Sequence, residues 1–279
     1  MWPPSESVPL PPTVFGILRD LIHERAGIFF DADKRDLLAD KLSARVAERG
    51  FSAFLDYYYL LKYGPHAELE WPHVLDALSV PETYFCREMD QIQALTRDIL
   101  PAFVAASPGQ SVQIWCAACA TGEEPLTIAM SLLEAGWFER IPIRIVASDA
   151  SPAAIEKSRR GLYRERSFRS TPKALQDKYF APVAGGWQVS GELSSRVEFA
   201  NANLMRPTEI ESFARSPFIF CRNVFIYFSP EAISRTVTFF AQKMPRPSYL
   251  FVGASESLVR LGTDFDLAMA GGAFVYQPK

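Results

Sequence analysis

Histidine and cysteine are scarce in this chain, with three His and four Cys in 279 residues. His23, His66 and His73 all fall in the first 80 residues, far from the motifs that carry chemistry, and read as surface or packing residues. Cys86, Cys116, Cys119 and Cys221 sit in apolar, strand-like contexts. Cys116 and Cys119 form a C-x-x-C, but a redox pair belongs at a helix start, and here Cys116 ends an apolar run. No second C-x-x-C or neighbouring His completes a tetrahedral site, so no metal is expected. A basic excess is also missing: 29 Lys and Arg against 32 Asp and Glu give a formal charge of −3, which argues against a sequence-independent nucleic-acid binder. No signal peptide and no apolar run of about 18 residues is present, so membrane insertion is not expected and a cytoplasmic location is. There is no internal repeat, no G-x-x-x-x-G-K-[ST] and no G-x-G-x-x-G, which disfavours ATP, NAD and FAD.

What is present is an ordinary globular composition, 48% hydrophobic and 22% charged, in a chain long enough for one domain and a smaller partner. Residues 1–12 are proline-rich and read as a disordered leader. From Thr13, an expected N-cap, helical spacing takes over (Phe15, Leu18, Ile22; Leu37, Leu38, Leu42, Val46; Phe54, Leu55, Tyr58, Leu61), with Gly27, Gly50 and Gly64 as punctuation, so 13–80 is expected to be a small helical domain. Lys41, Arg45 and Arg49 recur every four residues there, with Lys34 seven residues earlier, and form either a solvated face or a docking ridge for an acidic helical partner. From residue 81 strand and helix signals alternate. Strands are expected at about 112–116, 143–148, 218–221 and 249–253, and helices at 123–135, 152–161 and 230–243. The reading is α/β, a doubly wound, mostly parallel sheet. The Gly271-Gly272 break in 265–277 suggests a terminal hairpin with an antiparallel edge strand. Residues 179–200 interrupt the alternation as a short β insert, either a neutral loop or a substrate-docking element.

The stretch Ile114-Trp-Cys-Ala-Ala-Cys-Ala-Thr-Gly-Glu-Glu-Pro125 reads as a strand, a tight small-residue turn and a helix start. Asp149 closes the next apolar run, where an acid accepts both ribose hydroxyls of a nucleoside. Without a pyrophosphate motif, S-adenosylmethionine is the common cofactor left. Glu124 meets its ammonium, Arg87 is a candidate for its carboxylate or for an acidic substrate, and Asn223 and Tyr227 follow a strand at the crevice. Each also has a plain structural role open to it, Glu124 as complement to a helix N-terminus, Asp149 as an N-cap, Arg87 as a surface partner and Tyr227 as a core aromatic.

The series Glu82-Thr-Tyr-Phe-Cys-Arg-Glu88, Trp115 to Pro125, Ala147-Ser-Asp149 with Gly161-Leu-Tyr163, Asn203-Leu204 and Phe220-Cys-Arg-Asn-Val-Phe-Ile-Tyr-Phe228 resembles the CheR-type chemotaxis receptor methyltransferases from about Phe15 to Tyr276. The resemblance implies a Rossmann-like methyltransferase domain over 81–279. The implied reaction is protein-glutamate O-methylation of the helical cytoplasmic region of a chemoreceptor, with S-adenosylhomocysteine as product. By motif position, Thr83, Arg87, Glu124, Asp149, Asn203, Leu204, Asn223 and Val224 would hold the cofactor. Arg87 and Tyr227 would lie nearest the methyl, and Lys41, Arg45 and Arg49 would face acidic receptor helices. A monomer is expected. The β insert matches one that some members use to hold a receptor tail, but it is shorter here, so tail-independent action is expected. Departures from the family pattern are Pro81 for Asn, Ala120 for Ser, Leu126 for Tyr and Ala254 for His. Those at 81 and 254 leave a second reading open, a cofactor-binding regulatory module without turnover. The lack of an Asn-Pro-Pro-Tyr-like motif weakens a small-molecule or nucleic-acid methyltransferase.

Overall fold

The computed structural model describes residues 8–80, 82–106 and 108–279, so Pro81 and the first seven residues of the leader lie outside the described residues. Four helices open the chain: Pro12–Ala26 (α1), Arg35–Glu48 (α2), Phe54–Tyr63 (α3) and Ala67–Leu78 (α4). Their apolar stripes meet in one core around Leu18, Ile22, Leu42, Val46, Tyr57 and Trp71. Thr13 is not the N-cap: the helix starts one residue earlier at Pro12, whose fixed φ and missing N–H suit the first helical position. The described end of the leader is packed rather than loose, because Leu10 is buried in this core and the Val8 amide donates to Ser43 Oγ at 3.1 Å.

A second unit follows, beginning with Met89–Ala94 (α5), a π-helical turn over Leu95–Ile99, and Leu100–Ala106 (α6). Val112–Ala117 (β1), Glu123–Glu134 (α7), Ile143–Asp149 (β2) and Pro152–Arg160 (α8) then alternate. The chain continues through Leu162–Tyr163 (β3), Lys173–Tyr179 (α9), Phe180–Val183 (β4), Gly186–Val189 (β5), Gly191–Ser194 (α10), Val197–Asn201 (β6) and Pro207–Ile210 (α11). It ends with Phe218–Phe220 (β7), Pro230–Lys243 (α12), Tyr249–Phe251 (β8), Phe265–Ala270 (β9) and Ala273–Pro278 (β10).

The main sheet has seven strands in the order β6-β2-β1-β7-β8-β10-β9, the first five parallel and β10 antiparallel to both neighbours. Successive residues of its inner strands point to opposite faces. Ile114, Cys116, Phe218 and Phe220 therefore join one core while Trp115, Ala117, Ile219 and Cys221 join the other. The β insert is a separate three-stranded sheet, β3-β5-β4. It ends before Val197, because Val197–Asn201 pairs in parallel with β2 as the edge of the main sheet, a strand the alternation pattern did not reveal.

The chain leaves β1 toward β2 on one side, and β7 adds on the other. Crossovers therefore diverge between β1 and β7, and a crevice opens at the carboxyl ends of those two strands.

Candidate functional site

That crevice is a cavity of about 380 Å³, walled by the ends of β1, β2 and β7 and by the helical unit. Thr83, Arg87, Glu124, Asp149, Asn203, Leu204, Asn223, Val224 and Tyr227 all line it.

The turn after β1 is built for close approach. Ala118, Ala120 and Gly122 have φ of 57°, 47° and 93°, left-handed values at which side chains beyond Cβ would add strain to a conformation already unfavourable for L-residues. Asp149 pins this turn: its Oδ2 accepts from the Ala120 amide and its Oδ1 from the Ser151 amide, both at 2.9 Å. Each carboxylate oxygen keeps acceptor capacity toward the cavity. Burial pushes the Asp149 pKa up, and the amide bonds oppose that.

Glu124 enters from the first turn of α7. Its carboxylate lies 3.2 Å from the Nε of Arg222, at ion-pair distance, and burial raises its pKa against the pull of that guanidinium. Arg222 is itself buried. Its Nη2 donates to the Arg87 carbonyl at 2.7 Å and its Nη1 to the Glu88 carbonyl at 3.4 Å, tying the 82–88 segment to the end of β7. Glu88 in turn accepts from Asn223 Nδ2 at 3.3 Å and from the Ala254 amide at 3.1 Å. The contact at Ala254 is thus made by backbone, which any residue supplies.

The loop carrying Asn223 to Tyr227 is held by one carboxylate. Glu256 accepts from the amides of Gly253, Asn223, Phe225 and Ile226 at 2.6, 2.8, 2.7 and 3.2 Å. It allows Asn223 to stand at φ 59°. Neither Arg222 nor Glu256 was assigned a role from sequence, although one lies inside the 220–228 motif and the other two residues past Ala254.

The helical unit closes the cavity. The Phe29 amide donates to the Tyr227 carbonyl at 2.9 Å, Ile28 bridges Phe228, and Asn203 Nδ2 donates to the Arg25 carbonyl at 2.8 Å. Asp76, near the end of α4, accepts from Ser151 Oγ at 2.5 Å and from the Ala153 amide at 3.1 Å, reinforcing the N-terminus of α8 beside Asp149. Arg87 and Tyr227 lie at the cavity wall, each only partly buried. Arg87 Nη1 donates to the Glu82 carbonyl at 3.0 Å, and burial raises the Tyr227 pKa, so the phenol keeps its proton.

The expected basic ridge is not a free surface. Arg45 grips the buried Glu70 of α4 through Nε at 2.6 Å and Nη2 at 2.7 Å, Arg49 approaches it at 3.4 Å, and neither lines the cavity. Lys41 does line it, but its ammonium donates to the carbonyls of Ala77, Leu78 and Ser79 at the end of α4, at 3.5, 3.2 and 3.5 Å. The spacing of four seen in the sequence faces a neighbouring helix, with only Arg49 substantially in water.

Residues 81–271 match the family description "CheR methyltransferase, SAM binding domain", and residues 14–79 match "CheR methyltransferase, all-alpha domain". The chain belongs to the CheR methyltransferase family. It is 33% identical over 256 residues to chemotaxis protein methyltransferase 2 of Vibrio cholerae, covering 91% of this chain and 88% of that one. It is also 33% identical to the chemotaxis protein methyltransferase of Klebsiella aerogenes (94% and 89% covered) and 32% identical to that of Escherichia coli K12 (94% and 91%). As a CheR protein it is an S-adenosylmethionine-dependent methyltransferase, and the cavity suits that cofactor. Two partly buried acids face it, Glu124 from the first turn of α7 and Asp149 from the end of β2, and both are acceptors of the kind an ammonium or a pair of hydroxyls requires. Leu204 and Val224 offer apolar surface, and the turn after β1 carries only small side chains. Among the described residues no helix is long and apolar enough to cross a membrane.

Proposed function

We propose that this CheR protein methylates glutamate side chains on the helical cytoplasmic region of a chemoreceptor, adjusting its signalling. The observation that carries the reading is the convergence of Arg87 and Tyr227 at the open wall of a cavity whose interior holds Glu124 and Asp149. The three relatives named above, each a chemotaxis protein methyltransferase, support it.

Within that reading Asp149 accepts the ribose hydroxyls, Glu124 faces the amino-acid end with Arg222 behind it, and Leu204 and Val224 supply apolar walls. Thr83, Asn203 and Asn223 complete the polar lining. S-adenosylmethionine, when bound, supplies a methyl group on a sulfonium that is a good leaving group. A glutamate carboxylate is already nucleophilic at neutral pH, so the protein needs neither a general base nor a metal, and its work is orientation and exclusion of water. Arg87 orients the acceptor carboxylate by charge without transferring a proton to it, so the carboxylate stays nucleophilic. The Tyr227 ring and its protonated hydroxyl line the path, and the clasp of Phe29 on the Tyr227 backbone holds that ring in place.

Radiolabelled methyl transfer to receptor-containing membranes tests the proposal. A chain that binds S-adenosylhomocysteine in a calorimeter yet labels no receptor is a regulatory module, and the methyl-acceptor assignment fails.

A further inference from the structure

Four large apolar side chains stand in water around the cavity: Phe29 is 40% exposed, Leu37 46%, Val80 46% and Ile226 53%. They come from separate segments, namely the α1–α2 loop, the first turn of α2, the linker after α4 and the loop after β7. None belongs to the three apolar cores. The bond from the Phe29 amide to the Tyr227 carbonyl sets the first and last of these segments side by side. Scattered exposed apolar residues are normal, but four gathered at one mouth beside Arg87 and Tyr227 mark a surface that something covers.

Charge does not pick out an acceptor here. Lys34 and Arg87 share the wall with Asp31 and Glu82, Lys41 is occupied by carbonyls, and Arg45 and Arg49 are taken by Glu70. We propose that Phe29, Leu37, Val80 and Ile226 form an apolar collar that selects, among exposed glutamates, one carried on a helix and flanked one turn away by apolar side chains. This rests on the reading of the acceptor as a receptor glutamate and specifies its surroundings. A helix satisfies its own backbone groups and can press on apolar side chains, whereas an extended segment would leave amides unpaired against them. Residues three or four positions from the target share its helical face, so they meet the collar when the carboxylate enters the cavity.

The test uses the full chain and the cytoplasmic fragment of a chemoreceptor that the wild type labels. The double variant Leu37→Ser/Ile226→Ser, and Phe29→Ser from another side of the mouth, change exposed positions, and S-adenosylhomocysteine binding checks that each remains folded. The expected result is a KM for the fragment raised about tenfold in the double variant, the loss of roughly half a side chain's burial at each position, with cofactor affinity unmoved. Replacing the apolar residues one turn from the labelled glutamate by Ser should raise the wild-type KM to a similar extent and add little in the collar variant, the coupling expected of groups in contact. An unmoved KM, a fully additive loss, or a fall in cofactor affinity equal to the rise in KM overturns the collar. A wild type that labels no receptor overturns the acceptor reading and the collar with it, whereas labelling with an unmoved KM removes the collar alone.

Discussion

Glu70 offers the sharpest physical test of how the helical unit is held together. Four donors converge on its two oxygens: Arg45 Nε at 2.6 Å and Tyr57 OH at 2.7 Å on Oε1, and Arg45 Nη2 at 2.7 Å and Arg49 Nε at 3.4 Å on Oε2. The carboxylate is only 2% exposed, while the Arg45 side chain is 18% exposed. Glu70→Gln turns one acceptor into a donor facing donors, so at least one charged hydrogen bond is lost and Arg45 keeps only the exposed Glu48, 2.9 Å from its Nη1, as counter-charge. Breaking a buried pair from one side costs about 3–5 kcal/mol. At roughly 2–4 °C per kcal/mol for domains of comparable size, Tm should drop by about 10 °C. The assay is thermal and urea unfolding of wild type, Glu70→Gln, Arg45→Gln and the double variant. The cycle should show a coupling above about 1 kcal/mol, because removing both partners removes the stranded charge. The pH dependence has a definite sign. Burial works to raise the Glu70 pKa, but hydrogen bonds from Arg45 and Tyr57 and the charges of Arg45 and Arg49 outweigh it, leaving the pKa below the usual carboxylate range. A depressed folded pKa means that the contribution is fully present above the unfolded value, about 4.3, and is lost as pH falls through the folded value. A cost for Glu70→Gln under about 1 kcal/mol, the range of exposed pairs, would refute the reasoning.

Asp149→Ala should weaken S-adenosylhomocysteine binding by about 100-fold or more, since it removes a charged acceptor and frees the Ala120 amide that shapes the turn; calorimetry reads this directly. Arg87→Ala should lower kcat/KM for receptor labelling at least about tenfold through loss of carboxylate orientation, and unchanged transfer would defeat that role. Gly27→Ala should destabilise the chain by more than about 1 kcal/mol. Gly27 has φ +74°, and a Cβ there would lie 2.7 Å from Met205 Sδ and 2.8 Å from the Phe228 ring; chemical denaturation checks this, with slowed labelling as the companion readout.

Much of the site was legible because its residues occur in short runs that end strands. Ile114 to Pro125, Ala147 to Asp149 and Phe220 to Phe228 each join an apolar run to the turn that follows it. Parallel topology then delivers all three turns to one edge of the sheet. Residues that act across the fold were not legible. Nothing near Glu70 in sequence shows that it lies against Arg45 and Arg49, so a stripe that faces a neighbouring helix reads equally as a solvated face or a docking ridge. Arg222 and Glu256 bind backbone rather than repeating a pattern, and Asp76 reaches α8 across 75 positions of chain. Val197–Asn201 is an edge strand with a mixed burial pattern, too weakly alternating to separate from the insert before it.

The clasp of Ile28 and Phe29 on the Tyr227–Phe228 backbone, together with the hold of Asp76 on the start of α8, makes the helical unit a structural wall of the cavity. Under the proposed function, a receptor segment seated against that unit loads the same backbone that shapes the cavity, so receptor binding and cofactor binding should register in each other's affinity.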